Sequence, residues 1–375
     1  MSSATKTPAV PPSNANSLPG AACPLPIMQH EQIVLGHGSG GKLTAQLIEN
    51  VFLPAFSNPL LDKLDDQAVL QMNGSRLAFT TDAFVVTPIF FPGGDIGRLA
   101  VNGTVNDLAM CGAKPLYLAA AFILEEGLAT DELRRVVASI SDAARKAGVQ
   151  LVTGDTKVVN RGKGDKVFIS TTGIGVVEKP VNISASLARP GDKIILSGYI
   201  GDHGICILSQ RENLEFEGVI ESDCAALNGL VEEMLNAVDV EDPMQSGRLG
   251  HPIHCMRDPT RGGVATVLNE VANHSNTGIL LDETAIPVRD TVRGACEILG
   301  LDPLYVANEG KLLAIVAAEG AHAVLNRMRE HPLGHDARVI GEVVSDHPGM
   351  VFMRTEIGGT RVVDTLFGEQ LPRIC

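Results

Sequence analysis

At 375 residues the chain has room for two domains with their own cores, and 45% hydrophobic and 20% charged residues describe an ordinary folded, soluble protein. A formal net charge of −14 argues against nucleic acid or an anionic membrane as partner, so any nucleotide must be held by local amides, lysines and metal ions. No apolar run long enough for a membrane span and no signal-peptide pattern is present, and seven scattered cysteines (23, 111, 206, 224, 255, 296, 375) without a CxxC pair predict reduced thiols in a cytoplasmic protein.

Residues 1–30, rich in Pro, Ser, Ala and Asn without periodicity, are expected to be disordered. Ile33-Val34-Leu35 then leads into Gly36-His37-Gly38-Ser39-Gly40-Gly41-Lys42, after which Leu43, Leu47, Ile48 and Val51 fall at helical spacing up to Pro54. Strands are expected at 68–72, 76–81, 115–124, 149–153 and 166–177, with helices at 97–111 and 131–147. Arg189-Pro190-Gly191-Asp192 reads as a turn that marks a domain boundary before a new strand, Lys193-Ile194-Ile195-Leu196-Ser197. The second half carries helices near 203–211, 223–238, 261–274, 289–299 and 320–330 and strands near 278–281, 312–317 and 338–344. Neither half keeps a strict βαβ order, so the pattern predicts an α+β class.

The glycine run matches two phosphate-binding patterns incompletely. Gly36, Gly38 and Gly41 fit GxGxxG, but Ala55-Phe56-Ser57-Asn58 offers no acidic residue where a dinucleotide fold needs one. Gly36, Gly41 and Lys42 fit a P-loop, but Leu43 stands where a magnesium-binding Ser or Thr belongs. What survives is a mobile, amide-rich loop able to close over phosphates, with an ordinary flexible loop as the bland alternative.

Aspartates provide the stronger pattern: Asp65-Asp66, Asp82, Asp107 and Asp155, each beside small residues or after a strand-like run. Asp82 and Asp155 are expected at strand exits. Asp107 lies inside an otherwise small and apolar helix, where a lone carboxylate is costly unless paired or on a metal. Carboxylates from several elements meeting at one point suit a magnesium-nucleotide. Taken singly, Asp65 or Asp192 reads better as a cap or turn residue. His251, His254 and Cys255 resemble a metal cluster but lack a second ligand pair, so they are expected in a loop entering a strand. Cys111 and Cys255 read as buried small hydrophobes.

The chain ends on Pro372-Arg373-Ile374-Cys375, a terminal thiol behind an apparent Gly358-Gly359 hinge. Roughly 15 extended residues would carry that thiol on the order of 50 Å. A frayed end without function is the alternative, and a prenylation signal is excluded because the cysteine is not four residues from the end.

The segments Thr80–Gly97, Gly103–Met110, Gly154–Val159, Arg257–Gly263 and Asn308–Lys311, with the closing Pro-Arg-Ile-Cys, resemble the HypE family of hydrogenase-maturation carbamoyl dehydratases from about residue 31 onward. The aspartate motifs alone are those of a wider ATP-binding superfamily shared with aminoimidazole ribonucleotide synthetase, thiamine-monophosphate kinase and selenophosphate synthetase. The terminal cysteine singles out the HypE member.

The resemblance implies a two-domain α+β fold: a disordered extension at 1–30, an ATP-binding and dimerisation domain at 31–187, a second domain at 188–355 and a flexible tail at 356–375. First-domain strands of two subunits would form a barrel in a homodimer, with ATP in a cleft between them. It further implies that a carbamoyltransferase, HypF, loads Cys375, that ATP activates the carboxamide oxygen, and that loss of phosphate and a proton leaves a thiocyanate. Its cyanide would pass to iron on the HypC–HypD complex for the [NiFe] hydrogenase centre. Cys375, Glu309 and Lys157 become the expected catalytic groups, with Glu309 as general base. Lys157 could instead contact phosphate, and Glu309 could be a structural partner of Arg257 or Arg261. Magnesium is expected on Asp65, Asp66, Asp82 and Asp107. ATP is expected against Gly38, Gly40, Gly41, Lys42, Asp66, Thr81, Asp82, Asn106, Asp107, Asp155, Thr156, Asp258, Thr260 and Arg261. Two rivals stay open: a small-molecule kinase of the same superfamily, which has no use for Cys375, and a non-enzymatic thiol carrier, which needs no aspartate cluster.

Overall fold

The computed structural model describes residues 32–214, 216, 218–238, 250–366, 368 and 373–375; the disorder expected for 1–30 falls outside them. The glycine run leads into helix α1 (Lys42–Leu47), which continues through a π-helical turn, Ile48–Phe52, and a further turn, Leu53–Phe56. Pro54 therefore does not end the helix as expected. It sits in the first turn of the last segment, where a missing N–H is tolerated.

Strands β1 (Ala68–Met72), β2 (Ser75–Phe84), β3 (Lys114–Glu125), β4 (Gln150–Val159) and β5 (Val167–Val176) form one sheet in the order β1-β2-β5-β3-β4. Only β3 and β4 pair in parallel, and the crossover between them is helix α3 (Thr130–Ala147), packed on α2 (Ile96–Met110). Asp95 caps α2 by accepting from the amides of Gly97 and Arg98. Helix α2 covers one sheet face, so Ala78, Thr80 and Phe84 of β2 are buried while Phe79, Thr81 and Ala83 face outward. β4 is longer than expected, its first nine residues are exposed, and Asp155 lies mid-strand rather than at an exit.

The second half forms a seven-stranded sheet. Its strands are β6 (Lys193–Leu196), β7 (Ile253–Arg257), β8 (Gly278–Asp282), β9 (Leu313–Val316), β10 (Arg338–Val344), β11 (Val351–Arg354) and β12 (Thr360–Val362), in the order β12-β11-β8-β10-β6-β9-β7. Its helices are α4 (Asp202–Glu212), α5 (Asn228–Leu235), α6 (Gly263–Ser275), α7 (Asp290–Leu299) and α8 (Ala318–Glu330). Both faces of this sheet are covered. Ile195, Ala314 and Val316 pack with Leu230 and Met234 of α5 and Val324 and Met328 of α8, while Ile194, Leu196 and Ile315 pack with Val264, Leu268 and Val271 of α6. Two-sided burial is why these strands read as continuous apolar runs rather than alternating ones.

The tail begins later than expected. Val351–Arg354 and Thr360–Val362 form a hairpin whose turn is the supposed hinge: Gly358 N donates to Thr355 O (2.9 Å), Thr355 N donates to Gly359 O (2.8 Å), and Gly358 takes a φ of +84°. A glycine pair supplies the positive φ that such a tight turn needs, and a strand follows it at once.

Candidate active site

Four carboxylates meet where the end of β2, helix α2 and the loops of the second half converge. Strand alternation turns Thr80 and Asp82 toward α2, and Thr80 Oγ1 lies 2.9 Å from both Asp107 Oδ2 and the Asp66 carbonyl. Asp258 follows β7 directly. The Asn308 amide and side chain both donate to Pro259 O, at 3.1 and 2.9 Å, which ties the loop carrying Asp258 to the loop carrying Glu309. Burial pushes Asp66 and Asp107 well above the usual carboxylate range, and the carboxylates around each add to it. Asp82 is raised by burial against the pull of Arg261, and Asp258 is raised by burial to about 6 despite Arg257. Asp66 Oδ2 is buried without a hydrogen-bond partner. Recessed, mutually repelling oxygen donors are the chemistry of a hard-cation site.

Glu309 is 3% exposed; burial first, then Asp82, Asp223 and Asp258, raise it well above its ordinary value. Its amide donates to Asp223 Oδ1 (3.0 Å), and Asp223 in turn pairs with the recessed Lys311 (3.3 Å). Gly310 must be glycine here, because a Cβ would meet Asp223 O at 1.9 Å. Against Glu309 lies the chain's own end. The half-buried Cys375 thiol lies beside Glu309 and Arg261, and burial pushes it well above an ordinary thiol, so the docked group is neutral near pH 7. Ile374 is 4% exposed and belongs to an apolar cluster drawn from both halves.

The glycine run packs on this assembly. Lys42 N donates to Leu366 O (2.8 Å), Lys42 Nζ pairs with Asp364 (2.6 Å), and Arg261 Nη1 donates to Gly38 O (3.2 Å). A Cβ on Gly40 would meet Arg261 Cβ at 2.6 Å, and one on Gly41 would meet Leu366 O at 2.3 Å. Beneath the loop opens a cleft of about 870 Å³, lined by Gly40, Gly41, Lys42, Asp66, Thr80 and Arg257 among others, which suits a nucleotide.

Several expected residues stand elsewhere. Asp65 accepts from Ser184 Oγ and Ala185 N, both at 3.1 Å, so it is a turn-stabilising group. Asp66 is ion-paired to Arg257 (2.9 Å), which also pairs with Glu270. Arg257's partners are therefore Asp66 and Glu270, while Arg261 is the cation facing Glu309. Asn106 spends its side chain on Ala225 O, Glu309 O and Leu227 N, and it holds the loops rather than facing a ligand. Thr81 borders the cleft from the open face, bonded to Thr171 O. Thr260 forms the turn into α6, with Gly263 N donating to its carbonyl. Asp155, Thr156 and Lys157 lie on the exposed edge strand, and Lys157 Nζ is paired with Asp155 (2.7 Å), apart from the carboxylates of their own chain. Among the described residues no three His, Cys, Asp or Glu side chains converge tightly enough to hold a metal by themselves. His251 bonds Leu235 O and His254 bonds Asp192, so neither joins a metal group.

Sequence reasoning missed His203 and Arg211, which contact the tail, Ser222, which bonds His203, and Asp223, which holds Glu309. None stands in a motif, so no sequence signal marks them.

The family models for AIR synthase related proteins match the chain twice, the N-terminal domain over residues 64–177 and the C-terminal domain over 189–353. The carbamoyl dehydratase HypE of Cupriavidus necator is 58% identical over 345 residues, 92% of this chain and 95% of that protein. The crystal structure of the hydrogenase maturation protein HypE in complex with ATP is similar at 52% identity and a TM-score of 0.74, covering 92% of this chain and all of that one. A HypE–HypF complex contains a similar chain, at 46% identity and a TM-score of 0.79, covering 85% of this chain and 99% of that one. No helix among the described residues is long and apolar enough to cross a membrane.

Proposed function

The chain belongs to the HypE family of carbamoyl dehydratases, within the AIR-synthase-related fold, and we propose that it dehydrates a carbamoyl group on its own Cys375 to a thiocyanate at the expense of ATP. The observation that carries this reading is the terminal thiol seated against the buried Glu309, beside the carboxylates and the cleft. The S-carbamoyl oxygen takes a phosphoryl group from ATP as one of the two nitrogen protons leaves to solvent, which turns hydroxide, a poor leaving group, into phosphate. Glu309 removes the remaining nitrogen proton as the C–O bond breaks, leaving Cys375-S-C≡N, ADP and phosphate. A carboxylate raised by burial is a stronger base than an exposed one, which fits this role. Arg261 faces the same point and would steady the charge that develops there. Asp66, Asp82, Asp107 and Asp258 are the residues that would hold magnesium, whose chemistry there is to neutralise triphosphate charge. Because they do not close a site alone, the rest of the shell would come from phosphate oxygens.

Loading needs the thiol accessible and ionised, so it belongs to an undocked tail, offered to a carbamoyltransferase of the HypF kind. Undocking is thermodynamically easy. Burying Ile374 contributes about 1.5–3 kcal/mol, three hydrogen bonds about 0.5–1.5 kcal/mol each, and ordering three residues costs about 1–2 kcal/mol apiece. The balance favours docking by no more than a few kcal/mol, as a shuttling tail requires. Delivery of cyanide to iron on a HypC–HypD scaffold, in the cytoplasm, completes the reading.

Lys157 and Asp155 enter through a second copy. The open face carries Phe79, Tyr117, Ile123 and Ile174, each at least 40% exposed, which favours a homodimer closed sheet to sheet. Lys157 of one copy would then reach the cleft of the other.

The test is intact-protein mass after carbamoylation by a HypF-type transferase, before and after magnesium-ATP. Wild type is expected to gain a carbamoyl group and lose one water only with ATP. Glu309→Gln should load normally and lose water about 10²–10⁴-fold more slowly, and Cys375→Ala should not load. Loading without ATP-dependent water loss in wild type leaves a thiol carrier; no loading leaves a small-molecule kinase.

A further inference from the structure

The carbonyls of Arg373 and Ile374 and the terminal carboxylate of Cys375 each receive one donor, two from α4 and one from the backbone past β2. Arg211 Nη2 on α4 donates to Arg373 O (2.7 Å), His203 Nε2 on α4 to Ile374 O (2.7 Å), and Val85 N, just past β2, to Cys375 O (2.9 Å). The Ile374 side chain fills an apolar hole between these elements, and Arg373 pairs with Asp165 on the outside. His203 is fully buried. A carbonyl can only accept, so Nε2 carries the proton and Nδ1 accepts from Ser222 Oγ at 2.8 Å, while Ser222 Oγ accepts from Cys224 N at 3.1 Å. The next residue in that strap, Asp223, holds the Glu309 amide. One three-residue segment thus touches both the tail's anchor and the group facing the thiol.

We propose that Arg211, His203 and the Val85 amide form a clamp that reads the backbone of the chain's own C-terminus, and that the Ser222–Asp223 strap sets the register of Cys375 against Glu309. His203 is a positioning residue, acting through the tail rather than on the reacting atoms. The clamp reads Ile374 by shape and the rest by main chain, so it takes a carbamoylated or cyanated cysteine as readily as a free one. It rests on the proposed dehydration only in assuming that the docked cysteine is the one that reacts.

The experiment measures iodoacetamide alkylation of Cys375 in the free full-length protein, followed on the C-terminal peptide by mass spectrometry, alongside ATP-dependent water loss from the carbamoylated form. Ile374→Asp puts a charge into the apolar hole and should speed alkylation by at least about tenfold. Arg211→Met and His203→Leu should speed it about three- to tenfold, whereas His203→Gln, whose amide can donate in place of Nε2, should stay within about twofold of wild type. Water loss should slow in the same order. Unchanged alkylation in Ile374→Asp and Arg211→Met, which leave the buried His203 in place, overturns the clamp, whether or not His203→Leu folds. Alkylation that responds as expected in a protein that never loses water with ATP upholds the clamp and removes the dehydratase reading.

Discussion

The two sheets of this molecule are finished differently. The second has helices on both faces, and its central strands, Lys193–Leu196 and Leu313–Val316, are almost wholly buried. The first has α2 on one face and bare apolar side chains on the other, with an exposed edge at Gln150–Val159. One sheet is a completed core; the other keeps an apolar face uncovered. The expected catalytic lysine lies on that unfinished edge, while the carboxylates and the tail lie at the junction with the finished half. A single chain therefore brings a thiol, a buried glutamate and a set of carboxylates together, and leaves Asp155 and Lys157 on the exposed edge.

This contrast breaks most sharply at the open face. Glutamates at both Ile123 and Ile174 should turn a dimer into a monomer in sedimentation analysis and cut dehydration on the order of a hundredfold, through loss of Lys157 supplied in trans. More exposed apolar residues of the second half, Ile298 and Ile357, should accept Glu without either effect. A double-glutamate protein that stays dimeric and active would show the first sheet to be complete as it stands.

Stability should separate the sheets next. In that monomeric background, Ile195→Ala should cost about 2–5 kcal/mol in urea denaturation, because it empties a site packed from both sides. Tyr117→Ala on the open face should cost less than about 1 kcal/mol.

A smaller, pH-dependent effect belongs to the junction. Burial raises Asp258 from 3.8 to about 6, so the folded protein binds this proton more tightly than the unfolded chain. The associated stability is fully present below the unfolded value and is lost as pH rises through about 6. At pH 7 without ligand, Asp258→Asn should therefore stabilise by about 1–3 kcal/mol. The gain should vanish toward pH 4 in thermal denaturation followed by circular dichroism.

The element pattern was readable wherever one physical signal dominated. Helix α3 falls where periodicity places it, because one buried face imposes it, and α2, buried nearly all round, follows its small apolar run. Pro54 and Gly358-Gly359 misled for the same reason in opposite directions: a breaker residue states what its own backbone can do, not whether the structure resumes beyond it. Pro54 sits inside a continuing helix and the glycines inside a hairpin. Of the site, Asp82, Asp107, Asp258, Glu309 and Cys375 were legible as motif residues and come together. Asp65 and Asn106 share those motifs but stabilise a turn and hold loops, which only their hydrogen bonds reveal. His203 and Ser222 were illegible, since an ordinary histidine in a helix and a serine in a loop acquire a role only from what packs beside them.

By itself, then, the sequence determined the α+β class, the acidic chemistry of the site and the presence of a thiol at the chain's end, because composition, periodicity and residue type are local quantities. Only the tertiary structure decided which aspartates face one another, that the terminal cysteine lies on Glu309, and that one sheet keeps an uncovered face. Those are facts about residues far apart in the chain, and their energies arise only when folding removes water from between them.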